Sequence, residues 1–229
     1  FDEYIKLNDL NKQLVISPPM KYPPIITPLG TPSKYIKIQL LDTLKENTTY
    51  TFNFGQSVID NTEVNIIRNF KYIFSTGEYI DSLKVSGTIK DALKDEADTD
   101  VSILLYEFND AYTDSLIYKE KPLYVGNTLD TTIWEISNIK AGKYKLIALK
   151  DASKDYIFTA KQDKIAFLEK EISIPEDSTG HELILFKEVL PYKINRPREQ
   201  TMNRLLLGYE GVADSIKIEN LIEKIPSVI

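Results

Sequence analysis

The residues best spaced for metal chemistry are Asp151, Ser153 and Asp155, which put oxygen side chains at the first, third and fifth places of a calcium-type loop. The pattern then departs from such a loop. Tyr156 stands where a glycine would permit the sharp turn, and Gln162 stands where a bidentate Glu would close the shell, with Asp163 one place late. A polar loop after the strand-like stretch 145–150 accounts for the same residues, so this is a metal candidate with a plain alternative, and no resident cofactor is expected. The run Asp95, Glu96, Asp98 and Asp100 reads as a solvated turn, because like charges repel unless a cation neutralises them. His181 is the sole imidazole and the chain has no Cys, so thiolate nucleophiles, disulfides and Cys-rich zinc sites are excluded, and His-based metal clusters nearly so. No Gly-x-Ser-x-Gly elbow accompanies His181, and none of the 9 glycines falls into phosphate-loop spacing. A facing pair among the 34 acids is the one hydrolytic arrangement left open. The expectation is a protein that is not an enzyme.

Binding chemistry rests on aromatics. The loop-rich stretch 111–127 holds Tyr112, Leu116, Tyr118, Leu123 and Tyr124, which would form an interface patch if exposed, since Tyr offers area with a polar tip. The alternative is that alternate members fill a core. Trp134 could stack on a sugar ring, but between Ile133 and Ile136 it reads better as core.

These residues need elements to hold them, and the dominant period is two. Ile36, Ile38 and Leu40 alternate with polar residues, as do Tyr50, Phe52 and Phe54, and similar short runs recur to Phe186, separated by Gly, Asn, Asp and Pro. This predicts an all-β chain with little helix. With 229 residues and 42% hydrophobic content there is enough apolar mass for packed cores. Six of the 11 prolines lie within 17–33, which reads as irregular edge strands anchored by Ile16, Met20, Tyr22, Ile25, Ile26 and Leu29, with a low-complexity linker as the competing reading. The stretches 44–50 and 139–144 each set an apolar residue, a polar turn and then a Tyr at a strand start, the arrangement of a tyrosine corner. Two corners imply two sandwiches, expected at 1–80 and 81–187, with 188–229 as an incomplete third β unit. A net charge of −6 opposes nucleic-acid binding. No apolar run is long enough to cross a membrane as a helix.

The segments Phe1-Asp-Glu-Tyr-Ile5, Leu14-Val-Ile-Ser-Pro-Pro19, Asn47-Thr-Thr-Tyr-Thr-Phe-Asn-Phe-Gly55 and Phe74-Ser-Thr-Gly77 resemble the SbsA-type bacterial Ig-like domain of Bacteroidota lipoproteins. The segments Val85-Ser-Gly-Thr-Ile-Lys-Asp91 and Ile139-Lys-Ala-Gly-Lys-Tyr-Lys-Leu146 are similar to the carboxypeptidase-regulatory, prealbumin-like sandwich found beside it. The resemblance implies a piece of a longer outer-membrane lipoprotein, on the cell surface or the periplasmic face, touching the membrane only through a lipid anchor outside this chain. It implies a scaffold or binding subunit whose partners are other envelope proteins, with secretion, uptake or outer-membrane protein biogenesis as the settings. The alternatives are a carbohydrate-binding or adhesion module, with a glycan as ligand, and accessory domains of an enzyme whose catalytic part lies elsewhere. In that bacterial group Asp-Ser/Thr before a small or aliphatic residue is an O-glycosylation acceptor, which makes Thr43, Ser82, Ser115, Thr131, Ser178 and Ser215 candidates. Asp-Ser and Asp-Thr are also ordinary turn dipeptides.

Overall fold

The computed structural model describes residues 1–68, 70–202, 204–212, 215 and 217. The chain is an all-β protein in two compact units, 1–187 and 188–229. In the first 76 residues, β1 (Ile5–Leu7), β2 (Val15–Ser17), β3 (Ile25–Thr27), β4 (Lys37–Gln39), β5 (Thr49–Asn53), β6 (Val58–Asp60) and β7 (Lys71–Ser75) pair antiparallel as β1 with β6, β3 with β4, and β2–β5–β7. Alternation puts Tyr50, Phe52 and Phe54 into a core with Ile5, Met20, Ile26 and Val58. Met20, Ile26 and the half-buried Ile16 anchor the proline-rich segment to that core, whereas Tyr22, Ile25 and Leu29, expected as anchors, are exposed.

The second sandwich is built from β8 (Leu83–Asp91), β9 (Ser102–Glu107), β10 (Tyr124–Asn127), β11 (Ile133–Ile139), β12 (Gly142–Lys150), β13 (Lys164–Phe167), β14 (Ile172–Ile174) and β15 (His181–Leu185). One sheet runs β11–β8–β15, with β15 parallel to β8; the other runs β10–β9–β12–β13, and β14 pairs with the start of β12. Between them lie Val85, Ile103, Leu105, Ile136, Leu146 and Leu183. Trp134, only 1% exposed, belongs to this core. Both corners are formed. Tyr50 Oη accepts from Lys45 N–H at 2.9 Å, and Tyr144 Oη donates to Lys140 C=O at 2.9 Å. Burial raises the Tyr144 phenol above its ordinary range.

A third apolar cluster joins the two sandwiches. Leu104, Tyr106, Ile147 and Leu149, on the outer face of the larger sheet, are covered by Ile117, Phe158 and Val15 of β2. Strand β9 is therefore buried on both faces. In the second unit, β16 (Lys193–Ile194) pairs with β19 (Tyr209–Glu210) and β17 (Arg198–Thr201) with β18 (Arg204–Leu206), both antiparallel.

Candidate functional site

The seam between the sandwiches is the most constructed polar region of the first unit. Asp81, in the connection between β7 and β8, is buried, and its Oδ2 accepts from Thr49 Oγ1 at 2.8 Å. Its own N–H donates to Thr49 Oγ1 at 2.9 Å, and its carbonyl accepts from Asn138 Nδ2 at 2.8 Å. Val125 N–H donates to Ser17 Oγ at 3.0 Å, Lys121 Nζ to Met20 C=O at 2.8 Å, and Lys140 Nζ to Asn47 C=O. The seam explains why the polar-looking members of β5, Thr49 and Thr51, are buried: the second sandwich covers them.

Beside the seam opens a cleft of about 430 Å3 with one wall from each sandwich. Asn53, Gln56, Arg68 and Lys71 line it from the first, and the loop 127–131 with Ile133 and Glu135 from the second. Gln56 Nε2 bridges to Asp130 Oδ2 at 2.9 Å, and Lys71 Nζ donates to Ser137 Oγ at 3.3 Å. Glu135 is salt-bridged to Lys84 at 3.2 Å, leaving Arg68 exposed and without an ion pair among the described residues. Sequence reasoning missed this cleft. Its members are spread from Asn53 to Glu135 with no recurring spacing, and only the docking of the sandwiches gathers them.

The calcium candidates fold into a self-satisfied loop. Asp151 Oδ1 accepts from Ser153 N–H, Ser153 Oγ and Lys154 N–H at 2.7–3.1 Å, and its Oδ2 from Tyr156 N–H at 2.8 Å. Asp163, fully buried, accepts from Ala152 N–H and Thr159 N–H at 3.1 and 2.7 Å, clamping both ends of the loop. Asp155 accepts from Ile157 N–H at 2.8 Å. These oxygens cap amides, and among the described residues no group of three or more His, Asp or Glu side chains could hold a metal ion. In the acidic run, Asp98 meets Lys164 at 2.6 Å, and Lys164 also pairs with Asp91. The Lys164 ammonium, with Leu93 and Lys94 N–H groups, holds the Asp91 carboxyl down at about 2.

The stretch 111–127 is not one exposed patch. Tyr124 is core, 3% exposed, with its ring edge-on to Tyr144. Tyr112 and Leu116 are half-buried against the third apolar cluster, and Leu123 against the second core. Burial, with Asp114 beside it, pushes the Tyr112 phenol up to about 12. Tyr118 alone of these five is exposed, packed on Phe158 at 5.4 Å. The physical reason is the alternation itself, which turns Tyr124 inward on a strand hydrogen-bonded to β9. His181 accompanies the core: its ring stacks on Trp134 at 6.4 Å, and Nε2 lies 2.7 Å from Asp177 C=O.

Thr43, Ser82, Ser115, Thr131 and Ser215 are exposed, and Ser178 is half-buried with its hydroxyl bonded to Pro175 C=O. The preceding Asp42, Asp81, Asp114, Asp130 and Asp177 each accept a hydrogen bond, three of them from residues 20 or more positions away rather than from their own turn.

Residues 1–76 match the family model of the bacterial Ig-like domain. The residues that match it supply the whole first wall of the cleft and the Thr49 side of the seam. No curated protein and no solved structure matches the chain. No helix among the described residues is long and apolar enough to cross a membrane.

Proposed function

We propose that this chain is a non-enzymatic scaffold or binding subunit of an envelope assembly. The observation that carries the reading is the seam: an Ig-like domain joined to a second sandwich by a shared apolar cluster and buried hydrogen bonds, which makes a stiff spacer rather than beads on a string. A stiff tandem sandwich presents loops at fixed separation, which suits holding partners and asks nothing of catalytic geometry. In the finer form of the proposal the second sandwich is of the prealbumin-like type and the protein is a lipid-anchored outer-membrane protein of a Bacteroidota species. Exposed hydroxyls at Thr43 and Ser82, neither hydrogen-bonded among the described residues, would serve as glycan acceptors there.

The experiment is affinity purification of the tagged full-length protein from detergent-solubilised membranes of its source, with mass spectrometry of the eluate. Co-recovery of outer-membrane proteins in near-equal amounts, together with acylation of the bait, is the expected result. A bait found in the soluble fraction, unacylated and alone, would overturn the proposal.

A further inference from the structure

We infer that the cleft at the sandwich junction binds an acidic oligosaccharide, with the sugar carboxylate on Arg68 and Lys71 and its hydroxyls on Asn53, Gln56, Asp130 and Glu135. The cationic wall is under-used. Arg68 makes no hydrogen bond or ion pair among the described residues, and Lys71 has one long bond, to a serine. Neither acid opposite pairs with Arg68: Glu135 is salt-bridged to Lys84, and Asp130, still charged, accepts from the Gln56 amide. A guanidinium presents paired donors that match a carboxylate, so an incoming anion finds a charge-assisted partner without displacing one already made.

The rest of the lining selects for hydroxyls. Side-chain amides and carboxylates offer donors and acceptors in plane, and each carboxylate keeps an oxygen free for a ligand hydroxyl. An apolar anchor for a peptide is poorly provided. Trp134 is committed to the core, which leaves Leu129 and Ile133 as the apolar side chains along the cleft. The volume falls within the range of ligand sites, and such sites favour domain junctions. The inference goes beyond the scaffold reading, since partner capture needs no sugar and a sugar site needs no envelope partner; either can fail alone.

The test is calorimetric titration of the intact chain with tetragalacturonate and with hyaluronan tetrasaccharide, alongside their methyl esters and a tetraglutamate peptide. At least one acid sugar is expected to bind with a submillimolar constant. Its methyl ester and the Arg68→Ala variant are each expected to lose about tenfold or more, the loss of one charge-assisted contact. Arg68 is exposed, so the variant should melt as the parent does, and Arg68→Lys, which keeps the charge but loses the paired donors, should bind between the parent and Arg68→Ala. Three results would each overturn the inference: no binding by either acid sugar, unchanged binding in Arg68→Ala, or tetraglutamate binding as tightly as the sugars.

Discussion

Replacing Gly87 with Ala probes the centre of the second sandwich. Gly87 sits in β8 with Trp134 opposite on β11 and His181 opposite on β15. A Cβ built there would lie 2.0 Å from His181 C=O and 2.7 Å from Trp134 Cζ2. Neither neighbour can step aside: the carbonyl belongs to the parallel ladder, and the indole is enclosed and stacked on His181. Overpacking of this kind costs about 1–3 kcal/mol. The stiffer unfolded chain returns only about 0.4–1 kcal/mol. The net expectation is a loss of about 1–2 kcal/mol, or a melting point lower by roughly 2–8 °C for a unit of this size. Because β15 enters the sheet at His181, the strain should be relieved by its first residues lifting away, which wets the only Trp. Calorimetry and Trp emission report the two effects separately. Gly142→Ala is the control, since its Cβ would meet Tyr144 at an ordinary 3.4 Å. A Gly87→Ala protein that melts within a degree of the parent with unshifted emission would refute the pairing of β15 with β8.

Three further outcomes follow from the same geometry. Tyr144→Phe leaves the Lys140 carbonyl without its donor and should destabilise by about 1 kcal/mol in denaturant titration, as should Tyr50→Phe for the Lys45 amide. Thr49→Val and Asp81→Ala, measured singly and together, should be non-additive by about 1–2 kcal/mol, whereas additive losses would mean the seam bond contributes nothing. Asp91 is depressed from 3.8 to about 2, so its stabilisation is full above about pH 4 and fades as pH falls towards 2; Lys164 is raised, so its part is present below its unfolded value and is lost in strong alkali. The melting-point gap between parent and Asp91→Asn should accordingly be constant from pH 5 to 9 and close on acidification below about pH 4.

The strands were legible because a half-buried sheet writes its burial into every second residue, as Tyr50, Phe52 and Phe54 do. The corners were legible because their hydrogen bond is local, spanning Lys45 to Tyr50 and Lys140 to Tyr144. What covers the other face of a strand is not local. Thr49, Thr51 and Ser17 look like solvent-facing residues, yet all three are buried where the second sandwich docks. The Asp151 loop, for which the sequence left both a metal candidate and a plain polar loop, is the converse case. Its acids have the spacing of ligands, but two left-handed residues, Lys154 and Tyr156, curl the backbone so that the amides point at the carboxylate. Spacing alone does not distinguish an oxygen that coordinates a cation from one that caps N–H groups.

The same asymmetry explains why buried polar chemistry is concentrated at the seam. A sandwich satisfies itself by local rules, so its core residues answer mostly to packing and could be exchanged among apolar types of similar volume. At the seam, the buried Asp81 is met from both sandwiches, its carboxylate by the Thr49 hydroxyl and its backbone carbonyl by the Asn138 amide. Such a group costs stability if the sandwiches separate, which makes the fixed relation of the two sandwiches a property of a few polar residues rather than of the linker's length. The cleft inherits that fixity: Gln56 and Asp130 can stay 2.9 Å apart only while the seam is closed. Loosening the seam with Asp81→Ala should therefore weaken any ligand that spans both walls even though residue 81 does not line the cleft, and a ligand held by one wall alone would be indifferent to it.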